Sequence, residues 1–244
     1  LVTVPTKEPS FQLDVPAIEE AINERTSAVI INSPNNPTGA VYPREDIEAL
    51  TDMLRRKEEK PGRRIFLISD EPYRELIYGV EAPYIPAMYD DTLLCYTWSK
   101  SLSLPGERIG YIHVNDAMED DAEVFTAVSG AGRALGYICA PVMLQRAVAK
   151  CIDEPAGVEE YAKNRKILTD MLSEIGYEYS DPDGAFYLWM KALEPNAEAF
   201  SDRAKEYELL LVPSNSFGTE GWVRLTCCIA EDAIRNSCQA LQAL

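Results

Sequence analysis

The stretch TWSKSLSLPGERIGY, Thr97 to Tyr111, decides how this chain reads. It follows a short apolar run, Thr92 to Tyr96, of the kind that forms a buried strand. Its one lysine, Lys100, lies between Ser99 and Ser101, and eight residues on Arg108 precedes Ile109-Gly110-Tyr111, which reads as the next strand. A lysine at a strand end, in a turn rich in hydroxyls, is placed to react, because its amine can form a Schiff base with an aldehyde. An arginine across the same turn offers a planar fork suited to phosphate. An aldehyde joined to a phosphate describes pyridoxal 5'-phosphate.

Two more stretches lie upstream, each after an apolar strand. SPNNPTG, Ser33 to Gly39, follows the strand Ala28 to Asn32, and SDEPYRELIYG, Ser69 to Gly79, follows the strand Ile65 to Ile68. Read singly, each is also ordinary turn chemistry. In this order the three motifs resemble the fold-type I pyridoxal-phosphate-dependent aminotransferases of class I/II, the aspartate aminotransferase superfamily. The resemblance covers essentially the whole chain. It implies that Lys100 carries the cofactor and that Asp70 pairs with the pyridine nitrogen. It implies too that Tyr73 and Asn36 hydrogen-bond the ring hydroxyl, and that Arg108 with Thr97 or Ser99 holds the phosphate. A carboxylate at the ring nitrogen keeps that nitrogen protonated and the ring a good electron sink.

Downstream, Gly221-Trp222-Val223-Arg224-Leu225-Thr226 places an arginine in an apolar strand. A buried guanidinium needs an anion. That anion is either one of the chain's many acids or, as the resemblance implies, the substrate α-carboxylate, which Arg224 and Asn36 would bind. Arg133, in a glycine-containing stretch, is either a surface or interface residue or a group reaching substrate across a dimer. The lone His113 reads as structural, and no histidine-based nucleophile or metal site is expected.

With 244 residues and 46% hydrophobic content the chain suits one large or two modest globular domains. Its formal net charge of -17 argues against nucleic acid or an acidic membrane as partner. No run approaches a membrane span or a signal peptide. The cysteines at 95, 139, 151, 227, 228 and 238 form no metal-like doublets. They are expected to be reduced, mostly buried thiols of a cytoplasmic protein, with Cys227 and Cys228 facing opposite ways.

Element by element, the pattern predicts helices over Asp14–Glu24, from Pro43 with the apolar face Ile47, Leu50, Met53 and Leu54, and over Asp116–Val128. A loop over Ser129–Gln145 with its last residues in a helix Val142–Ile152, and then a helix Val158–Ile175 stopped by Gly176, follow. Strand and hairpin signals begin at Tyr177, with a turn at Asp181–Gly184, and an amphipathic helix closes the chain from Glu231. The expected fold class is α/β. A mostly parallel sheet with flanking helices forms a pyridoxal-phosphate-binding large domain over 1–156, and a smaller α+β domain covers 157–244. Compared with the family, the first third of a typical chain is missing from this numbering, and with it the aromatic that stacks on the cofactor. The 244 residues alone are therefore expected to be inactive. The function implied is transfer of an amino group between an amino acid and a 2-oxo acid by a homodimer. Another reaction of the same cofactor (a C–S lyase, an elimination or a decarboxylase) or a non-catalytic aminotransferase-like regulatory domain are the alternatives.

Overall fold

The computed structural model describes residues 1–58 and 63–244. The first helix, α1 (Val15–Ala21), is shorter than expected: Asp14 caps it through Ala17 N–H and Ile22 leaves in extended conformation. Strand β1 (Ala28–Asn32) then enters a four-stranded sheet. Helix α2 (Arg44–Glu58) buries the four apolar residues its periodicity singled out, Ile47, Leu50, Met53 and Leu54, each fully excluded from solvent. Its expected charged and Pro-Gly terminus lies, from 59 to 62, outside the described residues.

Strands β2 (Phe66–Asp70) and β3 (Thr92–Thr97) continue the sheet in parallel, with Asn32 level with Asp70 and Asp70 level with Cys95. A one-turn helix, α3 (Trp98–Ser101), follows, and then β4 (Gly110–Val114). The strand expected after Arg108 is present but antiparallel to β3, Thr97 facing Gly110. A parallel return needs a crossover, usually through a full helix, and the α3 turn is too short to make one. The sheet order is thus β1-β2-β3-β4, with its three parallel strands ending along one edge.

Helix α4 (Asp121–Ala134) runs through Ser129–Gly132, where a loop was expected. Gly130 faces open space, so no close approach calls for it, and the surrounding alanines and Arg133 favour helix. The stop comes at Gly136, whose positive φ of 91° suits a helix terminus. Helix α5 (Val142–Cys151) and helix α6 (Val158–Ile175) fall where expected, α6 ending on left-handed Gly176.

The second sheet is antiparallel. Its strands are β5 (Tyr179–Ser180), β6 (Tyr187–Lys191), β7 (Val212–Pro213) and β8 (Trp222–Thr226), in the order β5-β6-β8-β7, and α7 (Ala197–Lys205) precedes β7. With α6, α7 and the final helix α8 (Glu231–Ala243) it encloses Leu172, Leu188, Met190, Phe200, Val223 and Ile234. The sheets meet through backbone. Gly184 N–H donates to Gly39 O and Ala185 N–H to Leu76 O, both at 2.8 Å. A Cβ on Gly184 would stand 2.7 Å from Pro34 Cβ, so only glycine allows this approach. Trp189 and Trp222, on β6 and β8, pack into the first core, where Phe11 meets Trp222 edge-on at 5.1 Å.

All six cysteines are free thiols, with Cys227 and Cys228 lying just past the end of β8. They are not mostly buried, however: only Cys227 is buried, while Cys139, Cys151 and Cys228 are exposed. Cys139 lies in the exposed loop after α4 and Cys151 ends α5, neither of which is covered.

Candidate active site

Parallel register brings three motifs to one sheet edge, since each begins where β1, β2 or β3 ends. At the end of β3, Thr97 caps α3: its Oγ1 accepts from Ser99 N–H at 3.1 Å and donates to Ile109 O at 3.0 Å. The cap starts a helical turn at once and sets Lys100 on it. The Lys100 Nζ lies 5.8 Å from the centre of the Tyr73 ring and 5.5 Å from that of Phe186. Phe186 precedes β6, so the segment entering the second sheet lies beside the amine. Tyr73 is buried and meets Phe186 and Tyr187 edge-on, at 5.4 and 5.9 Å. Burial, reinforced by Tyr187, pushes the Tyr73 phenol well above its ordinary value and keeps it a hydrogen-bond donor.

Asp70 ends β2. Asn32, level with it on β1, donates Nδ2–H to Asp70 Oδ2 at 3.0 Å. Burial pushes the Asp70 carboxyl up, and the Asn32 bond opposes this. The same Asn32 accepts from Asn36 N–H at 2.8 Å, so one amide fixes both Asp70 and Asn36. Asn32 was not singled out in the sequence. A polar residue closing the apolar run AVIIN, in register with Asp70, was the available signal.

Arg224, on β8, donates Nη1–H to Asn36 Oδ1 at 2.8 Å and stacks on Tyr187 and Phe217, 4.2 and 5.2 Å from the ring centres. Among the described residues it pairs with no carboxylate, so the internal salt bridge is not what holds it. A neutral acceptor and two rings hold the guanidinium, and most of its five donors remain for an anion.

The Thr97 and Ser99 hydroxyls bond each other at 2.7 Å. Arg108 is not drawn into this group: its guanidinium is exposed and donates to Pro105 O at 2.6 Å. Arg133 is exposed on α4, and His113 sits on β4 opposite Leu94, away from the three motifs. The donor set at the sheet edge fits pyridoxal phosphate: among the described residues it holds an amine without a carboxylate partner, a carboxylate with one oxygen that has no protein donor, an amide, a phenol and two hydroxyls.

Behind Asp70 lies Glu71, 2% exposed, which accepts from Ser69 Oγ at 2.7 Å and from the Arg74 guanidinium. Burial pushes its carboxyl up and Arg74 pulls it back. Arg74→Ala is expected to destabilise the fold by about 2–3 kcal/mol, because it strands a buried carboxylate. Glu71 then titrates higher still. Its ionisation costs stability as pH rises through that folded value, so the loss is larger at pH 8 than at pH 5. Urea midpoints of both proteins at the two values check this; a loss equal at both would count against it.

Three comparisons bear on this geometry. The family model "Aminotransferase class I and II" matches residues 1–241. A probable aspartate/prephenate aminotransferase of Aquifex aeolicus is 30% identical, over 96% of this chain and 61% of its own length. An aspartate aminotransferase of Thermotoga maritima is 31% identical, over 89% of this chain and 55% of its own. The crystal structure of an amino transferase from Eubacterium rectale superposes with a TM-score of 0.94 at 49% identity, covering 98% of this chain and 61% of that one. The chain thus spans about three fifths of the length of the curated relatives it matches.

Proposed function

Because the chain belongs to the class I and II aminotransferase family, we propose that its protein transfers an amino group between an amino acid and a 2-oxo acid, with pyridoxal 5'-phosphate held at Lys100. The observation that carries this is the convergence of Lys100, Asp70 and Asn36 at one sheet edge, facing an arginine that pairs with no carboxylate among the described residues. When bound, the cofactor supplies an electron sink for the pair left at the substrate α-carbon. Lys100 would hold the cofactor covalently until the substrate's amine displaces it, and its freed amine would then take the α-proton. The Tyr73 and Phe186 rings flank that amine, which is half-buried. Asp70 would face the ring nitrogen, steadied by Asn32. Asn36 and Tyr73 would face the ring hydroxyl, and Thr97, Ser99 and Arg108 the phosphate, Arg108 by turning from the Pro105 carbonyl. Arg224 binds the α-carboxylate and so orients the α-carbon toward Lys100.

The division into a large unit over 1–156 and a small one over 157–244 belongs to the same reading, and the separate sheets support it. So does a homodimer. Leu135, Tyr137, Ile138, Val142 and Met143 form an exposed apolar run from the end of α4 into the first turn of α5, of the kind that marks an interface, with Arg133 beside it. No helix among the described residues is long and apolar enough to cross a membrane, and we infer a cytoplasmic location from the free thiols.

Incubating the intact protein with pyridoxal phosphate, a panel of amino donors and 2-oxoglutarate tests this. Glutamate formation with at least one donor is expected. Release of ammonia with no amino transfer would assign the site to elimination instead.

A further inference from the structure

Lys100 stands between two serines, and each is fixed by a different partner. Ser99 Oγ meets Thr97 Oγ1 at 2.7 Å. Ser101 Oγ meets Tyr96 Oη, also at 2.7 Å, and Tyr96 Oη donates to Glu75 Oε1 at 2.7 Å. The direction of this chain follows from proton count. The Glu75 carboxylate only accepts, so the single phenolic proton goes to it, and the Ser101 hydroxyl must then donate to Tyr96. Tyr96 is itself rigid. It is 9% exposed and packs edge-on against Trp98 at 5.6 Å and at a tilt against Tyr111 at 5.3 Å. Burial pushes its phenol up, so it keeps the proton the chain requires. Glu75 lies two residues after Tyr73, in the segment that β2 feeds with Asp70.

We propose that Tyr96 and Glu75 are positioning residues that hold the lysine turn, through Ser101, in fixed register with the segment bearing Asp70 and Tyr73. A one-turn helix has little stability of its own, so its last residue frays unless pinned. The Thr97 cap holds the start of α3, and the Ser101–Tyr96–Glu75 chain holds its end. Fixing both ends limits where the intervening Nζ can go. Hydrogen bonds ending on a carboxylate are stronger than neutral ones, which suits a clamp made of so few groups. This inference rests on the reading of Lys100 as the covalent anchor.

The test measures how fast pyridoxal phosphate attaches to Lys100 in the intact protein. Attachment is followed by the visible absorbance and located by mass spectrometry after borohydride reduction. Tyr96→Phe and Glu75→Ala should each slow attachment about threefold to tenfold, the worth of one hydrogen bond. The double variant should be no slower than the slower single one, because both break the same chain. Glu75→Gln retains an acceptor and should restore most of the rate, with thermal midpoints little changed throughout. Ser101→Ala should match Tyr96→Phe and decides the matter if the latter does not fold. A parent-like rate in Tyr96→Phe or Ser101→Ala, losses that multiply in the double variant, or no rescue by glutamine would each overturn the proposal. Absence of any attachment in the parent protein would overturn the lysine reading itself, and this one with it.

Discussion

Lys100→Ala is expected to lower turnover by about three to four orders of magnitude while the protein stays folded. The two roles assigned to the amine, covalent anchor and base, have no substitute nearby. General-base catalysis alone is worth about 10²–10⁴-fold, and the anchor adds to it. The cost to the fold is small, because among the described residues the amine pairs with no carboxylate and touches its surroundings mainly through the Tyr73 and Phe186 rings. Such contacts contribute about 0.5–1 kcal/mol each at partly exposed sites. Activity and stability therefore separate cleanly. The visible absorbance that appears on adding pyridoxal phosphate should vanish in the variant, and the thermal midpoint should move by no more than a few degrees. A persisting band, or more than about one hundredth of parental turnover, would mean that another residue carries the chemistry.

Much of this arrangement was legible before any coordinates, and the reason is local. The apolar run Ala28–Asn32, the face Ile47–Leu50–Met53–Leu54, and the Gly176 stop of α6 are signals contained within one element each. The order of motifs along the chain placed Asn36, Asp70 and Lys100, because parallel strands deliver their C-terminal ends to the same edge. What was not legible depends on partners far away in sequence. The antiparallel return of β4 follows from the shortness of the Trp98–Ile109 connection, which a strand pattern alone does not weigh. The α4 helix crosses Gly130 because nothing packs there to demand a turn. Asn32 shows its use only once β1 and β2 are in register, and the Phe186 ring beside Lys100 comes from the segment leading into the other sheet. Arg108 illustrates the reverse: its place in the motif was plain, but its side chain is turned to Pro105.

Arg224→Lys should lower kcat/KM by about 10²-fold and Arg224→Ala by about 10³-fold. A bidentate pair of charge-assisted hydrogen bonds to a carboxylate is worth roughly 3–6 kcal/mol, of which lysine recovers the charge but not the fork. Lysine also forfeits the stacking between Tyr187 and Phe217 that holds the guanidinium in plane. The loss should fall on the amino acid and the 2-oxo acid alike, since both carry the carboxylate that Arg224 is proposed to bind. Attachment of pyridoxal phosphate to Lys100 should change little, because Arg224 does not touch the lysine turn and Asn36 keeps its backbone bond to Asn32. An amino-acid amide, which lacks the carboxylate charge, provides the control. It should be a poor substrate for the parent protein and lose little more in either variant. Were the amide and the free acid to suffer equally from Arg224→Ala, the residue would be shaping the site through Asn36 and Tyr187 rather than binding the carboxylate.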